Sequence, residues 1–472
     1  MAPEIITLII LGVAIVLFFT EVISLPVTAM LVPIALSLTG ILDPQDAFAN
    51  FGNRWVVIFM AMFMVSEAIF KTGFAGKLGD MAIKMAGQSY LKILLLVMLI
   101  LGVMSAFLSN TGSTAVFIPV VLAIALSAGI DSKKLLMPMA FASSLGGTLT
   151  AIGTPPNGIV NGVLETYPEF PEFGFFEFGK VGIFIFIAGI LYMVLMGNKL
   201  VPGELKEKDG EDSTENTGQA VGQGNRQRKG MQEEFQGEQG GRKAAQYGKG
   251  ESEEKAGNEE SHGQARDGGQ GNLSRGERPE KMWVAVLVFL FVVVSMATGF
   301  IDLQVAAMLG AMLTIITGCI TMEEAFNSIS WTTIFLFAGM LSMSEAMEAT
   351  GAAALIADGI ASIAYSPMIA LAVLFLTTAV LTNFMSNTAT GALFAPIGIS
   401  LAGSIGVSPF PFLMGVAMAA SCCFLTPIAT PPNTLVLGPA GYNFMDYLKA
   451  GWPLQLISFL VAMVVIPIFF PF

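Results

Sequence analysis

Long, nearly uncharged apolar stretches dominate this sequence, and their length fixes the class of fold before any motif is considered. Residues 5–19, 22–42 and 56–70 are such runs, and others recur through the C-terminal half. A bilayer core about 30 Å thick is crossed by roughly 20 residues of helix. The chain is 54% hydrophobic and 12% charged, against about 25% charged residues in an ordinary soluble domain, so the excess apolar surface must face lipid. The expectation is an all-α integral membrane protein with the lipid bilayer as its surroundings.

The N-terminus reads Met1-Ala2-Pro3-Glu4 and runs straight into an apolar segment. Without a basic n-region and a small-residue cleavage site it is expected to stay as a first helix. Cys319, Cys422 and Cys423 lie in apolar segments without metal-type spacing, which predicts buried packing residues. The net charge of −12 includes no basic cluster, which excludes nucleic acid as a partner.

Residues 203–281 change abruptly to Gly, Gln, Glu, Lys and Asn and hold the chain's one histidine, His262. Such a stretch cannot bury enough apolar area to offset its ordering entropy, so it is expected to be a disordered polar loop. It separates two related halves, 1–202 and 282–472. Val27, Ala29 and Met30 are answered by Val305, Ala307 and Met308, and Ser66-Glu67-Ala68 by Ser344-Glu345-Ala346. Further along, Ser109-Asn110-Thr111 matches Ser386-Asn387-Thr388, and Thr154-Pro155-Pro156-Asn157 matches Thr430-Pro431-Pro432-Asn433. The series closes with Lys180-x-Gly182 against Lys449-x-Gly451. One ordered set of matches is the signature of an internal repeat.

Helices are expected near 4–20, 22–42 and 54–71, with an amphipathic stretch over 74–87. A helix over 135–152 then breaks at Thr-Pro-Pro-Asn, and a last span covers 181–200. Polar residues and a glycine interrupt the apolar run 90–129, which suits a re-entrant hairpin whose tip lines a cavity at membrane depth; 367–406 is its counterpart. Each half then has five crossings and a broken helix, and an odd number sets two tandem copies in opposite orientations, as inverted repeats. Lys71, Lys77, Lys84, Lys92, Lys133, Lys134 and Lys199 fall on one face, which the positive-inside rule makes cytoplasmic. The central loop is then cytoplasmic, both termini lie outside, and the two hairpins open from opposite sides.

Hydroxyl and amide groups at the two tips, beside helix N-termini, can hold an anion without a fixed cation. The plainer alternative is that these side chains satisfy backbone groups of a kinked helix; duplication at matching places favours a site. Each Pro-Pro pair removes backbone donors and frees the carbonyls of Gly153 and Ala429, hard oxygen ligands suited to Na⁺. Away from their ends the spans lack Lys, Arg and His, so a bound dianion needs a mobile counter-charge. Sodium is the simplest, and protons stay open. Glu67 and Glu345 form a repeated acidic pair, read as interfacial anchors or as a proton relay.

The paired Ser-Asn-Thr tips and Thr-Pro-Pro-Asn breaks resemble those of the divalent anion/sodium symporter family, within the ion transporter superfamily, over nearly the whole chain outside the insert. The resemblance implies a homodimeric secondary transporter working by an elevator-type movement, with no organic cofactor and no enzymatic activity. It assigns one Na⁺ site to Ser105, Ser109, Asn110 and Gly153, and a second to Thr382, Asn387 and Ala429. It gives Asn110, Thr111, Thr154, Asn387, Thr388 and Thr430 to the substrate. The first tip reads Ser-Asn-Thr-Gly-Ser where dicarboxylate carriers of the family have Ser-Asn-Thr-x-Thr, so sulfate stands beside C4-dicarboxylates as the transported dianion. The alternative on the same scaffold is an anion exchanger or a sodium/proton antiporter.

Overall fold

The computed structural model describes residues 2–86, 89–203, 278–363 and 365–472. The expected disordered loop lies outside the described residues except at its two ends. There, Gly203 is placed, and Pro279–Lys281 form a single 3₁₀ turn leading into the second half.

The described residues are helical, and the helices run in the same order twice. In the first half they are α1 Pro3–Thr20, α2 Leu25–Leu38, α3 Pro44–Ala49, α4 Arg54–Lys71, α5 Phe74–Ala86, α6 Tyr90–Ser105, α7 Asn110–Ala128, α8 Lys133–Gly147, α9 Pro155–Leu164 and α10 Gly179–Tyr192. In the second they are α11 Met282–Thr298, α12 Leu303–Ile316, α13 Met322–Ser328, α14 Trp331–Ala349, α15 Ala352–Ile363, α16 Pro367–Thr382, α17 Asn387–Ile405, α18 Phe410–Ser421, α19 Pro431–Ala440 and α20 Phe444–Phe469. A π-turn, Met193–Gly197, and a last turn, Asn198–Leu200, prolong α10.

Among the described residues seven helical spans are long and apolar enough to cross a bilayer, one of them joining α3 and α4 over Pro44–Lys71, or up to nine if each bent pair counts as one span. Their outward faces stay apolar: Ile5, Ile9, Val13 and Val16 on α1, and Leu456, Leu460 and Val464 on α20, are exposed at helical spacing, the stripe a lipid-facing helix presents.

Packing between the halves is reciprocal. Helix α2 lies against α14 and α12 against α4; α9 lies against α17 and α19 against α7. Exchanging each helix for its counterpart turns one pair into the other, as a two-fold rotation between copies requires.

Two elements differ from the sequence reading. The span expected over 22–42 shortens to α2, Leu25–Leu38, closed by Thr39, and a separate short helix α3 opens beyond it at Asp43-Pro44. The helix expected over 135–152 stops at Gly147, leaving residues 148–154 as a non-helical break. Close packing fixes this loop. A Cβ on Gly182 would collide with the Thr148 carbonyl, and one on Gly451 with the Phe424 carbonyl at the matching place in the second half. Only glycine lets α10 and α20 come that near the two breaks.

Candidate functional site

Each tip-and-break unit is built from the same few contacts. In the first half Ser109 caps α7, its hydroxyl accepting from Gly112 N at 3.3 Å. Thr150 in the break donates to the Ala106 carbonyl at the hairpin tip. Asn157 closes the break on itself, its Nδ2 donating to Gly147 O at 3.2 Å and Thr150 O at 2.8 Å.

The second half repeats the scheme. Thr426 donates to the Asn383 carbonyl at 2.7 Å, and Asn433 Nδ2 donates to Cys423 O at 3.3 Å and Thr426 O at 3.1 Å. Thr154 and Thr430 both sit in extended backbone as N-caps of the resumed helices α9 and α19, and both are buried.

The first-half site residues meet around Asn110, whose carboxamide lies against the Ser105 and Gly153 carbonyls. With Nδ2 turned toward them it donates at 3.3 Å and 3.2 Å. With Oδ1 turned toward them three oxygens face one another, an arrangement held together only by a cation. Oxygens about 3.3 Å apart form one edge of a polyhedron whose centre is about 2.3–2.5 Å from each, the distance for oxygen-ligated ions of calcium's size, and sodium is of that size. The donor set therefore fits Na⁺. Ser105 shares a hydrogen bond with Ser143 at 2.8 Å, and Ser143 reaches the Asn110 carbonyl at 3.2 Å.

In the second half Thr382 donates to Asn387 Oδ1 at 3.0 Å and lies 2.9 Å from the Ala420 carbonyl. Ala429 is buried and precedes the Thr430 cap. The tip threonines expected to bind substrate are placed unequally: Thr388 is buried, whereas Thr111 is exposed.

The heads of α7 and α9 come together here, with elements of the second half packed against them. Gly147 in the first break sits between Asn110 of α7 and Thr154 at the head of α9; a Cβ on it would lie 2.9 Å from Asn110 Nδ2 and 3.2 Å from Thr154 Cβ. The second turn of α17 leans on Pro156 of α9, where a Cβ on Gly391 would lie 3.3 Å from Pro156 Cβ. Helix α19 in turn packs on α7. The turns 109–113, 154–158, 386–390 and 430–434 contain no Lys, Arg or His. Positive charge for an anion there must come from helix dipoles and from backbone N–H groups, of which the two Pro-Pro turns offer fewer because proline has none.

The sequence profile described as "Citrate transporter" matches residues 15–407 of this chain. The chain belongs to the citrate transporter family. It is thus a multi-pass membrane protein and a secondary transporter rather than an enzyme. Among its relatives, the uncharacterized transporter YfbS of Escherichia coli K12 is 30% identical over 98% of both chains. The sodium-dependent dicarboxylate transporter SdcS of Staphylococcus aureus is 25% identical over 95% of this chain and 82% of its own. The fold is shared with the YdaH transporter of Alcanivorax borkumensis, whose crystal structure reveals an unusual topology, at a TM-score of 0.58, 12% identity and coverage of 92% and 87%.

Within this family member, the sequence reading gave no role to several residues that shape the tip-and-break units: Ser143, Thr150, Asn383 and Thr426, and the motif asparagines Asn157 and Asn433. For four of them a signal was present, since Thr150 with Asn157 and Thr426 with Asn433 share one spacing around each Pro-Pro pair. Of the repeated carboxylates, Glu345 accepts from Asn50 Nδ2 at 3.2 Å, a contact across the halves that anchors the side chain.

Proposed function

We propose that this protein carries small dianions, C4-dicarboxylates or sulfate, across the membrane together with Na⁺. The observation that carries the reading is that the heads of α7 and α9 lie together beside Gly147, with α17 leaning on Pro156 and α19 packed on α7, and that none of the four N-terminal turns holds a basic side chain. Two negative charges brought to such a place are attracted by oriented amides but not neutralised by them. Co-bound cations supply the remaining charge. Sodium suits the oxygen ligands around Asn110 and agrees with the name of the SdcS relative.

Asn110, Thr111, Thr154, Asn387, Thr388 and Thr430 bind the anion's oxygens through hydroxyl, amide and backbone N–H donors. Ser105, Ser109, Asn110 and Gly153 hold one Na⁺, and Thr382, Asn387 and Ala429 the other. The halves are inverted in the membrane, the polar loop is cytoplasmic and both termini are outside. A homodimer presents this site alternately to the two sides by an elevator-type movement.

Uptake of labelled succinate into proteoliposomes tests the reading. Uptake is expected to need an inward Na⁺ gradient, to be competed by unlabelled sulfate or citrate according to preference, and to fall about 10- to 100-fold in Asn110→Ala or Asn387→Ala, the loss expected for a hydrogen bond to a charged group. Equal uptake with choline replacing sodium refutes coupling to Na⁺.

A further inference from the structure

Gly147 in the first half corresponds to Cys423 in the second; each presents its carbonyl to the loop-closing asparagine ten residues on. Gly147 leaves room beside the tip asparagine, since a Cβ there would lie 2.9 Å from Asn110 Nδ2 and 3.1 Å from Gly153 O. In the second half a side chain fills that room. Cys423 is fully buried, and its thiol donates to Asn387 Oδ1 at 3.3 Å.

Thr382 donates to the same oxygen at 3.0 Å. An amide oxygen has two lone pairs, so both are engaged. The Asn110 amide oxygen, when turned to the Ser105 and Gly153 carbonyls, faces acceptors alone. The two tips therefore offer a cation different starting points: one oxygen is free to coordinate, the other must first release a donor.

Thr382 releases readily, because the Ala420 carbonyl at 2.9 Å can take its hydrogen while the hydroxyl oxygen turns toward an ion. The thiol's other acceptors are more distant, Ser421 O at 3.5 Å and Ala420 O at 3.8 Å. We propose that Cys423 sets the cation affinity of the second site below that of the first, by holding on Asn387 Oδ1 a donor that the ion has to displace. This rests on the sodium-coupled reading above and names a residue that tunes it from outside the ligand set.

The test compares Cys423→Ala, Cys423→Gly and Cys423→Ser with the wild type in purified, reconstituted form. Two readouts are taken: the Na⁺ concentration for half-maximal succinate uptake, and the Na⁺ concentration that half-saturates the rise in thermal midpoint. Removing the thiol in the Ala and Gly variants is expected to lower both concentrations roughly two- to tenfold. Cys423→Ser places a stronger donor on the same oxygen and is expected to raise them, with succinate KM at saturating Na⁺ unchanged.

A packing role predicts the reverse order, because serine keeps more of the cysteine's volume than alanine or glycine. That order, or values equal to wild type, overturns the proposal while leaving sodium coupling intact. A wild type indifferent to Na⁺ overturns both. Cys423→Gly copies the first half's own residue, so the comparison survives if one of the other variants fails to fold.

Discussion

Asn157 and Asn433 show how single side chains hold a broken helix open at a fixed length. Each amide nitrogen spans its own loop with two hydrogen bonds to backbone carbonyls, and each amide oxygen is buried without a donor. Replacing either with Ala leaves two carbonyls unsatisfied in the protein interior, and the cost is expected to be about 2–4 kcal/mol. Thermal unfolding in detergent should show a clear loss for Asn157→Ala and for Asn433→Ala. Na⁺ should restore less of the lost stability than it adds to the wild type, because the loops that carry the proposed carbonyl ligands are then free to relax. A variant as stable as wild type would show that the loops are held by packing alone.

At the scale of elements, the glycines of α10 and α20 set how closely each helix supports its break. Gly182→Ala and Gly451→Ala force a methyl against the Thr148 and Phe424 carbonyls, and overpacking of this kind costs about 1–3 kcal/mol. Both variants are expected to lose succinate uptake more than they lose stability, since the displaced loop belongs to the proposed site. Gly359→Ala is the control: α15 leaves open space around Gly359, so this change is expected to stabilise by about 0.5–1 kcal/mol through helix propensity and to leave uptake unaltered. The sequence announced these glycines only as one more matched pair. It also announced the tips and the Pro-Pro breaks, because polar residues and prolines stand out against an apolar background. The end of α8 was not legible, because Thr148-Leu149-Thr150-Ala151-Ile152 continues an apolar helical pattern, and only the approach of α10 and the Asn157 amide ends the helix early. Nor did composition show that Cys423 faces Asn387; an apolar context makes any cysteine read as packing.

For the whole molecule, the informative feature is where the two-fold relation fails. Reciprocal helix contacts relate the halves, yet the α7 span is 33% buried and its counterpart α17 is 78% buried. Thr111 at the head of α7 is exposed while Thr388 at the head of α17 is buried. On the proposed transport reading, two copies of one unit in unlike surroundings correspond to one of two states related by exchange of the halves, and exchanging the surroundings of α7 and α17 gives the other. Because the chain's three cysteines are buried, single cysteines introduced at the tips can report that exchange. In sealed vesicles without substrate, Thr111→Cys is expected to react with a membrane-impermeant thiol reagent from the cytoplasmic face, and Thr388→Cys to be protected from both faces. Adding Na⁺ with succinate should slow labelling at Thr111→Cys and open Thr388→Cys to the opposite face, since turnover populates the exchanged state. Labelling of each position from one unchanging face, with or without Na⁺ and succinate, would mean that the site does not alternate.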